Sequence, residues 1–204
     1  MFTENEVAAL VAQPAIQAET ARLKQAFCER EAEFLEISDH DFLSLILVSP
    51  RVGIALANGS IDFKEEQSLN KMARKFSKGG YMFSKDPVVR AMSLFIKAFA
   101  HWEQPFQAHL RLVIDTVLDG SQLTGTGKAG DATSDDQFAI HVLQAPFLYV
   151  RLLSTFFVAD ESEDFVAQRS VLADELAYMK GLGDALSLSG TPLFEAFLAR
   201  FSAK

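Results

Sequence analysis

The chain has 204 residues, 49% of them apolar, with a net charge of −8 and a pI of about 5.0. That length and apolar content suffice for one large domain or two small packed lobes. The acidic balance excludes nucleic acid and anionic membrane surfaces as expected partners, and the single cysteine, Cys28, excludes an intramolecular disulfide framework.

In chain order, Thr3-Glu4-Asn5-Glu6 is a capping box that starts a helix to about Gln13. No basic n-region and apolar h-region form a signal peptide there. Pro14 interrupts, and a long helix is expected from Ala15 to about Leu35, with Ile16, Leu23, Ala26, Phe27 and Phe34 as its apolar stripe. Arg30 falls on that stripe and needs a partner or a way out to solvent. Ser38-Asp39-His40-Asp41 opens the next helix, in which Phe42, Leu43, Leu45, Ile46 and Leu47 predict a central place in the core. Pro50 is expected to kink or divide it.

Asn58-Gly59 is a breaker pair, after which Ser60 or Asp62 caps a helix from Phe63 to Phe76 with Glu65 and Glu66 in its first turn. Lys78-Gly79-Gly80 ends it. Ser84 is the expected cap of the next helix, with Pro87 in its first turn and Val88, Val89, Met92, Phe95, Ile96 and Phe99 at helical spacing. His101 to Pro105 reads as a break, followed by a helix to about Asp119. Gly120 to Ser134, with four glycines and few apolar residues, reads as a long flexible loop. The domain prediction is a single helical domain, 1–204, with possible sub-lobes 1–119 and 134–204 joined by loop 120–133.

Beyond the loop, Ser134-Asp135-Asp136-Gln137 is a second capping box before an apolar helix expected from Phe138 to about Val158, with Pro146 inside it. Its most apolar part, Ala145 to Ala159, contains Arg151 and is too short to span a bilayer. The expectation is a soluble, cytoplasmic protein without membrane insertion. Residues 160–164 read as a corner, Phe165 to Lys180 as a helix ended by Gly181. Thr191-Pro192 reads as the start of a short helix with Phe194, Phe197, Leu198 and Phe201 on one side. No strand is expected, and the fold class is all-α, a compact multi-helix bundle.

The two halves echo each other. Ser38-Asp39-x-x-Phe42-x-x-x-Ile46-Leu47-x-x-Pro50 matches Ser134-Asp135-x-x-Phe138-x-x-x-Val142-Leu143-x-x-Pro146, and Ala57-Asn58-x-Ser60-x-Asp62-Phe63 matches Ala159-Asp160-x-Ser162-x-Asp164-Phe165. The order is kept, so the chain reads either as two pseudo-repeated lobes or as recurrent capping signals in a helical protein.

At the first corner, an apolar helix leads into Ala57-Asn58-Gly59-Ser60-Ile61, then Glu65 and Leu69. This resembles the tellurite-resistance B (TerB) and TerB-like families, whose pattern at this point is Ala-Asp-Gly-x-Ile/Val followed by Glu and an apolar residue. The resemblance covers about Phe42 to Phe76. Asn58 departs from the family's Asp, which puts a transferred metal site in doubt. The resemblance implies a helical bundle with a stress-related or metal-linked interaction role and no known enzyme activity.

Asn58, Ser60 and Asp62, and again Asp160, Ser162 and Asp164, have the first three ligand spacings of a calcium loop. Phe63 and Phe165 stand where such a loop needs Gly, and Leu69 and Val171 where it needs Glu, so neither is an EF-hand. They read as two capped helix starts, or alternatively as a weak divalent-cation site with Glu65 or Glu161 assisting. Thr124-Gly125-Thr126-Gly127-Lys128 lacks the first Gly and the final Ser/Thr of a phosphate loop. His40, His101, His109 and His141 show no metal-binding spacing, and Cys28 sits among mixed charges that do not favour a thiolate. No catalytic residue and no cofactor is predicted. The functional expectation is a non-catalytic interaction or sensor protein acting through a protein partner or self-association. The alternative is a helical protein binding an apolar small molecule in a Phe-lined pocket.

Overall fold

The computed structural model describes residues 1–79, 82, 85–124, 135–158 and 164–204. In order, the elements are α1 (Glu4–Val11), α2 (Pro14–Glu31), α3 (Asp39–Leu56), α4 (Phe63–Phe76), α5 (Pro87–Lys97), α6 (Phe99–Val117) and α7 (Gly120–Thr124). There follow α8 (Asp135–Gln144), α9 (Phe147–Phe157), β1 (Arg169–Val171), α10 (Ala173–Ala185), α11 (Pro192–Leu198) and β2 (Phe201–Ala203). The fold is the expected all-α arrangement, with one two-stranded parallel pair, β1 and β2, that the sequence reading did not anticipate.

Helix α3 is the axis. Every residue from His40 to Pro50 is buried, and α1, α2, α4, α5, α6, α9 and α10 all pack on it. Ser38 caps it by accepting the Asp41 amide at 3.1 Å. Pro50 neither kinks the chain into two helices nor ends it. A proline removes one amide donor and frees the carbonyl four residues back, and here the Ser49 hydroxyl donates to that Ile46 carbonyl at 2.7 Å. The first turn of α3 also grips the end of α4. His40 Nε2 lies 2.7 Å from the Phe76 carbonyl, and the Asp41 carboxylate accepts the Lys78 amide at 2.9 Å.

Two aromatic clusters fill the core. Phe27, Phe42, Phe95, Trp102 and Phe106 meet between α2, α3, α5 and α6, with ring centroids 4.8 to 6.4 Å apart. Phe138, Phe165, Phe197 and Phe201 form a second series, joined to Phe157 and Phe194. On the other side of α3, Tyr178 of α10 lays its ring against the bare backbone of Gly53, where a Cβ would lie only 1.9 Å from the phenolic oxygen. The hydroxyl bonds Glu103 and Gln107 of α6, and burial, with Glu103 beside it, raises its pKa.

Several boundaries differ from expectation for local reasons. Helix α2 ends at Glu31, so Phe34 leaves the stripe and is 85% exposed. Arg30 is exposed and pairs with Glu31 at 3.2 Å. Asp86 caps α5: one carboxylate oxygen accepts the Val88 amide and the other the Arg74 guanidinium, while Ser84 lies outside the described residues. The break falls at Ala98, and Pro105 sits inside α6. The expected 120–133 loop opens with α7, anchored by buried Leu123; residues 125–134 lie outside the described residues.

The single helix expected from Phe138 to Val158 is two, α8 and α9, divided at Pro146. The helix expected from Phe165 to Lys180 is a turn, β1 and only then α10. Phe201, placed on the last helix by the sequence reading, belongs to β2.

Candidate functional site

The corner between α3 and α4 is built by capping. Gly59 takes φ of +105°, a left-handed conformation that suits glycine, and the Asn58 side chain accepts the Ser60 amide at 3.5 Å. Asp62 Oδ1 accepts the Lys64 and Glu65 amides at 2.7 and 2.8 Å, while Glu65 Oε2 accepts the Asp62 amide at 2.8 Å. This is a closed capping box. Asn58, Ser60 and Asp62 are exposed, and the Asp62 and Glu65 oxygens named here serve helix α4.

Of the second set, Asp160, Ser162 and the assisting Glu161 lie outside the described residues. Asp164 caps a turn, accepting the Val166 amide at 3.0 Å, and its carbonyl accepts from Arg169. Among the described residues, these bonds of Asp164 run to Val166 and Arg169 and not to the first corner. Among the described residues, no group of three or more His, Cys, Asp or Glu is arranged to hold a metal ion.

The other candidates have structural roles. Cys28 is half-buried, its thiol donates to the Leu35 carbonyl at 3.7 Å, and burial raises its pKa. His109 is buried with Nε2 2.8 Å from the Thr20 hydroxyl and no partner on Nδ1, and burial pushes its pKa down to about 4. Trp102 donates its indole N–H to Glu31 at 2.9 Å, and His101 packs edge-on against its ring.

Next to the corner lies an open-mouthed cavity of about 490 Å³, lined by α3, α4, α9, β1, α10 and β2. Buried Leu69, Phe157, Met179 and Phe201 form its apolar walls, and Arg51, Glu65, Arg169 and Glu175 bring charge of both signs to it. Both glutamates start helices: Glu175 Oε2 accepts the Leu172 amide at 2.8 Å, as Glu65 does for Asp62. Arg169 lies over the Phe201 ring, 5.5 Å from its centroid, and bonds the carbonyls of Ala167 and Asp164. Of these residues, only Glu65 is a site residue expected from the sequence. Helical spacing runs through Val171 and Phe201, yet both lie on strands, and the acidic turn Ala173-Asp174-Glu175 marks the true start of α10.

A second feature lies on α8 and the start of α9. Phe138 turns inward, stacking near Phe165 with Arg200 over its ring. Ile140, Leu143 and Phe147 turn outward and are 52%, 84% and 68% exposed. The segment 137–150 contains no Asp, Glu, Lys or Arg.

No helix among the described residues is long and apolar enough to cross a membrane. Comparison with protein-family models, with curated proteins and with solved structures returned no match, so the functional reading rests on the geometry above.

Proposed function

We propose that this chain is a non-catalytic interaction protein, TerB-like in character, that offers the outward face of α8 and the start of α9 to a protein partner in the cytoplasm. One observation carries the reading: three large apolar side chains, Ile140, Leu143 and Phe147, stand in solvent within an uncharged segment. Single exposed apolar side chains are ordinary, whereas several close together mark an interaction surface; the Arg151 guanidinium lies over the Phe147 ring, 4.7 Å from its centroid, and borders this one with positive charge. The core does not require them, because Phe138 already anchors α8 from its inner side. The net charge of −8 makes two copies repel at long range and favours a neutral or basic partner over a second copy.

The test compares the wild type with a Leu143→Glu, Phe147→Glu double variant. Both positions are exposed, so the melting temperature should hold. Sedimentation from about 10 to 300 μM and in-cell cross-linking then report assemblies. The expected result is a partner, or a second copy, retained by the wild type and lost by the variant. Identical assemblies from both proteins would overturn the reading.

A further inference from the structure

The cavity beside the α3–α4 corner has an open strand edge along it. In the parallel pair, Arg169 donates its amide to the Arg200 carbonyl and the Val171 carbonyl accepts the Lys204 amide, in the register Arg169↔Phe201, Ser170↔Ser202, Val171↔Ala203. That register turns the amides and carbonyls of Arg169 and Val171 toward β2, so the N–H and C=O of Ser170 point to the opposite edge. Among the described residues no other strand pairs there.

All three residues of β1 line the cavity, while Phe201 alone does so from β2. Successive side chains of a strand face opposite sides, and the Ser170 hydroxyl lies with that of Ser202 at 3.3 Å. Three residues in a row therefore reach one cavity along the strand's edge.

We propose that this site takes an extended peptide segment of a partner protein, added as a third strand on the open edge of β1, with one large apolar side chain seated in the cavity. Strand addition draws affinity from main-chain hydrogen bonds and specificity from a side-chain pocket, and both parts are present. The cavity volume of about 490 Å³ lies within the usual range for a binding pocket and accepts Leu, Met or Phe with neighbouring main chain. Leu69, Phe157, Met179 and Phe201 supply the apolar contact. The surrounding Arg51, Arg169, Glu65 and Glu175 suit a polar backbone more than a wholly apolar ligand. The chain's net charge of −8 disfavours an acidic segment. This site is separate from the α8–α9 face, and either can fail without the other.

The test uses fluorescein-labelled hexapeptides of the form Lys-Thr-X-Thr-Lys-Thr, with X as Leu, Met, Phe, Val or Ala, titrated with the full chain by anisotropy. Binding is expected when X is large and apolar and to fall when X is Ala. N-methylation of the backbone amides around X should weaken it roughly tenfold, the loss of one or two main-chain hydrogen bonds, with the protein itself untouched. Ser170→Pro, which removes an amide at an exposed edge that tolerates proline, should weaken it similarly. Ser170→Ala, which keeps the main chain, should stay within about twofold. No binding by any of the peptides at millimolar concentration, or binding that N-methylation leaves unchanged, would overturn the proposal.

Discussion

The segments from Ser38 to Ala73 and from Ser134 to Lys180 share a sequence pattern and part company in structure. Both carry a proline three residues after an apolar pair, yet α3 runs through Pro50 and the second segment divides at Pro146. Ser49 precedes the first proline and supplies the hydroxyl that takes the freed carbonyl. Ala145 precedes the second and has no donor to offer. At the corners, Asp62 finds Glu65 three residues on and closes a capping box, whereas Asp164 finds Ala167. The matched aromatics follow suit: Phe63 is 74% exposed, while Phe165 stacks on Phe197 at 4.8 Å and near Phe138 at 6.1 Å. A shared pattern of caps and aromatics thus leaves the outcome to single neighbours that can or cannot satisfy a backbone group.

The largest expected effect tests whether the two segments are equally packed. Phe42 and Phe138 are matched and both fully buried, so each change to alanine should cost about 3–5 kcal/mol in urea unfolding. A much smaller loss at Phe138 would show that the second segment tolerates a void. Next, Phe165→Ala should cost about 2 kcal/mol through its lost stacking and partial burial, against less than about 0.5 kcal/mol for Phe63→Ala. Equal losses would remove the distinction between the corners.

A control of similar size comes from His109, outside both segments. Its folded-state pKa is pushed from 6.5 down to about 4, first by burial, with Arg22 also lowering it and Glu19 opposing. The unfolded chain therefore takes up the proton first as pH falls. The stability held by neutral His109 is complete above about pH 6.5 and is lost between there and about pH 4. Lowering the pH from 7.5 to 5 should cost about 2 kcal/mol from this group, and His109→Gln should flatten that slope. The smallest pair concerns caps: Asp62→Ala should cost about 1 kcal/mol, and Asp164→Ala, which starts no helix, less than half of that. A reversed order in thermal melts would mean that the turn at Asp164 carries more than its hydrogen bonds show.

The elements legible in the sequence are those governed by local chemistry. Thr3 with Glu6, Ser38 with Asp41 and Asp62 with Glu65 each form the expected bond within one helical turn. The uninterrupted apolar run of α3 announced its central place. What escaped depended on distant partners. Arg169 to Val171 is a strand because it pairs with Phe201 to Ala203; the acidic turn Ala173-Asp174-Glu175 marks where the next helix starts, but nothing local marks the strand itself. The candidate cavity is half legible: Glu65 stands out as a first-turn acid and an assisting cation ligand, but the walls come from Phe157, Met179 and Phe201, which meet only once β1 and α10 are in place.

The seating of Tyr178 on Gly53 has a consequence for how this chain can vary. A side chain at position 53 collides with the ring carbons as well as the hydroxyl, at 2.2 and 2.6 Å from the nearest two, so Tyr178→Phe would not make room for it. Position 53 is free to become alanine only together with a smaller residue at 178, and that residue would no longer reach Glu103 and Gln107. The two sites therefore form a coupled choice, in which drift at either is held in check by the other far along the chain.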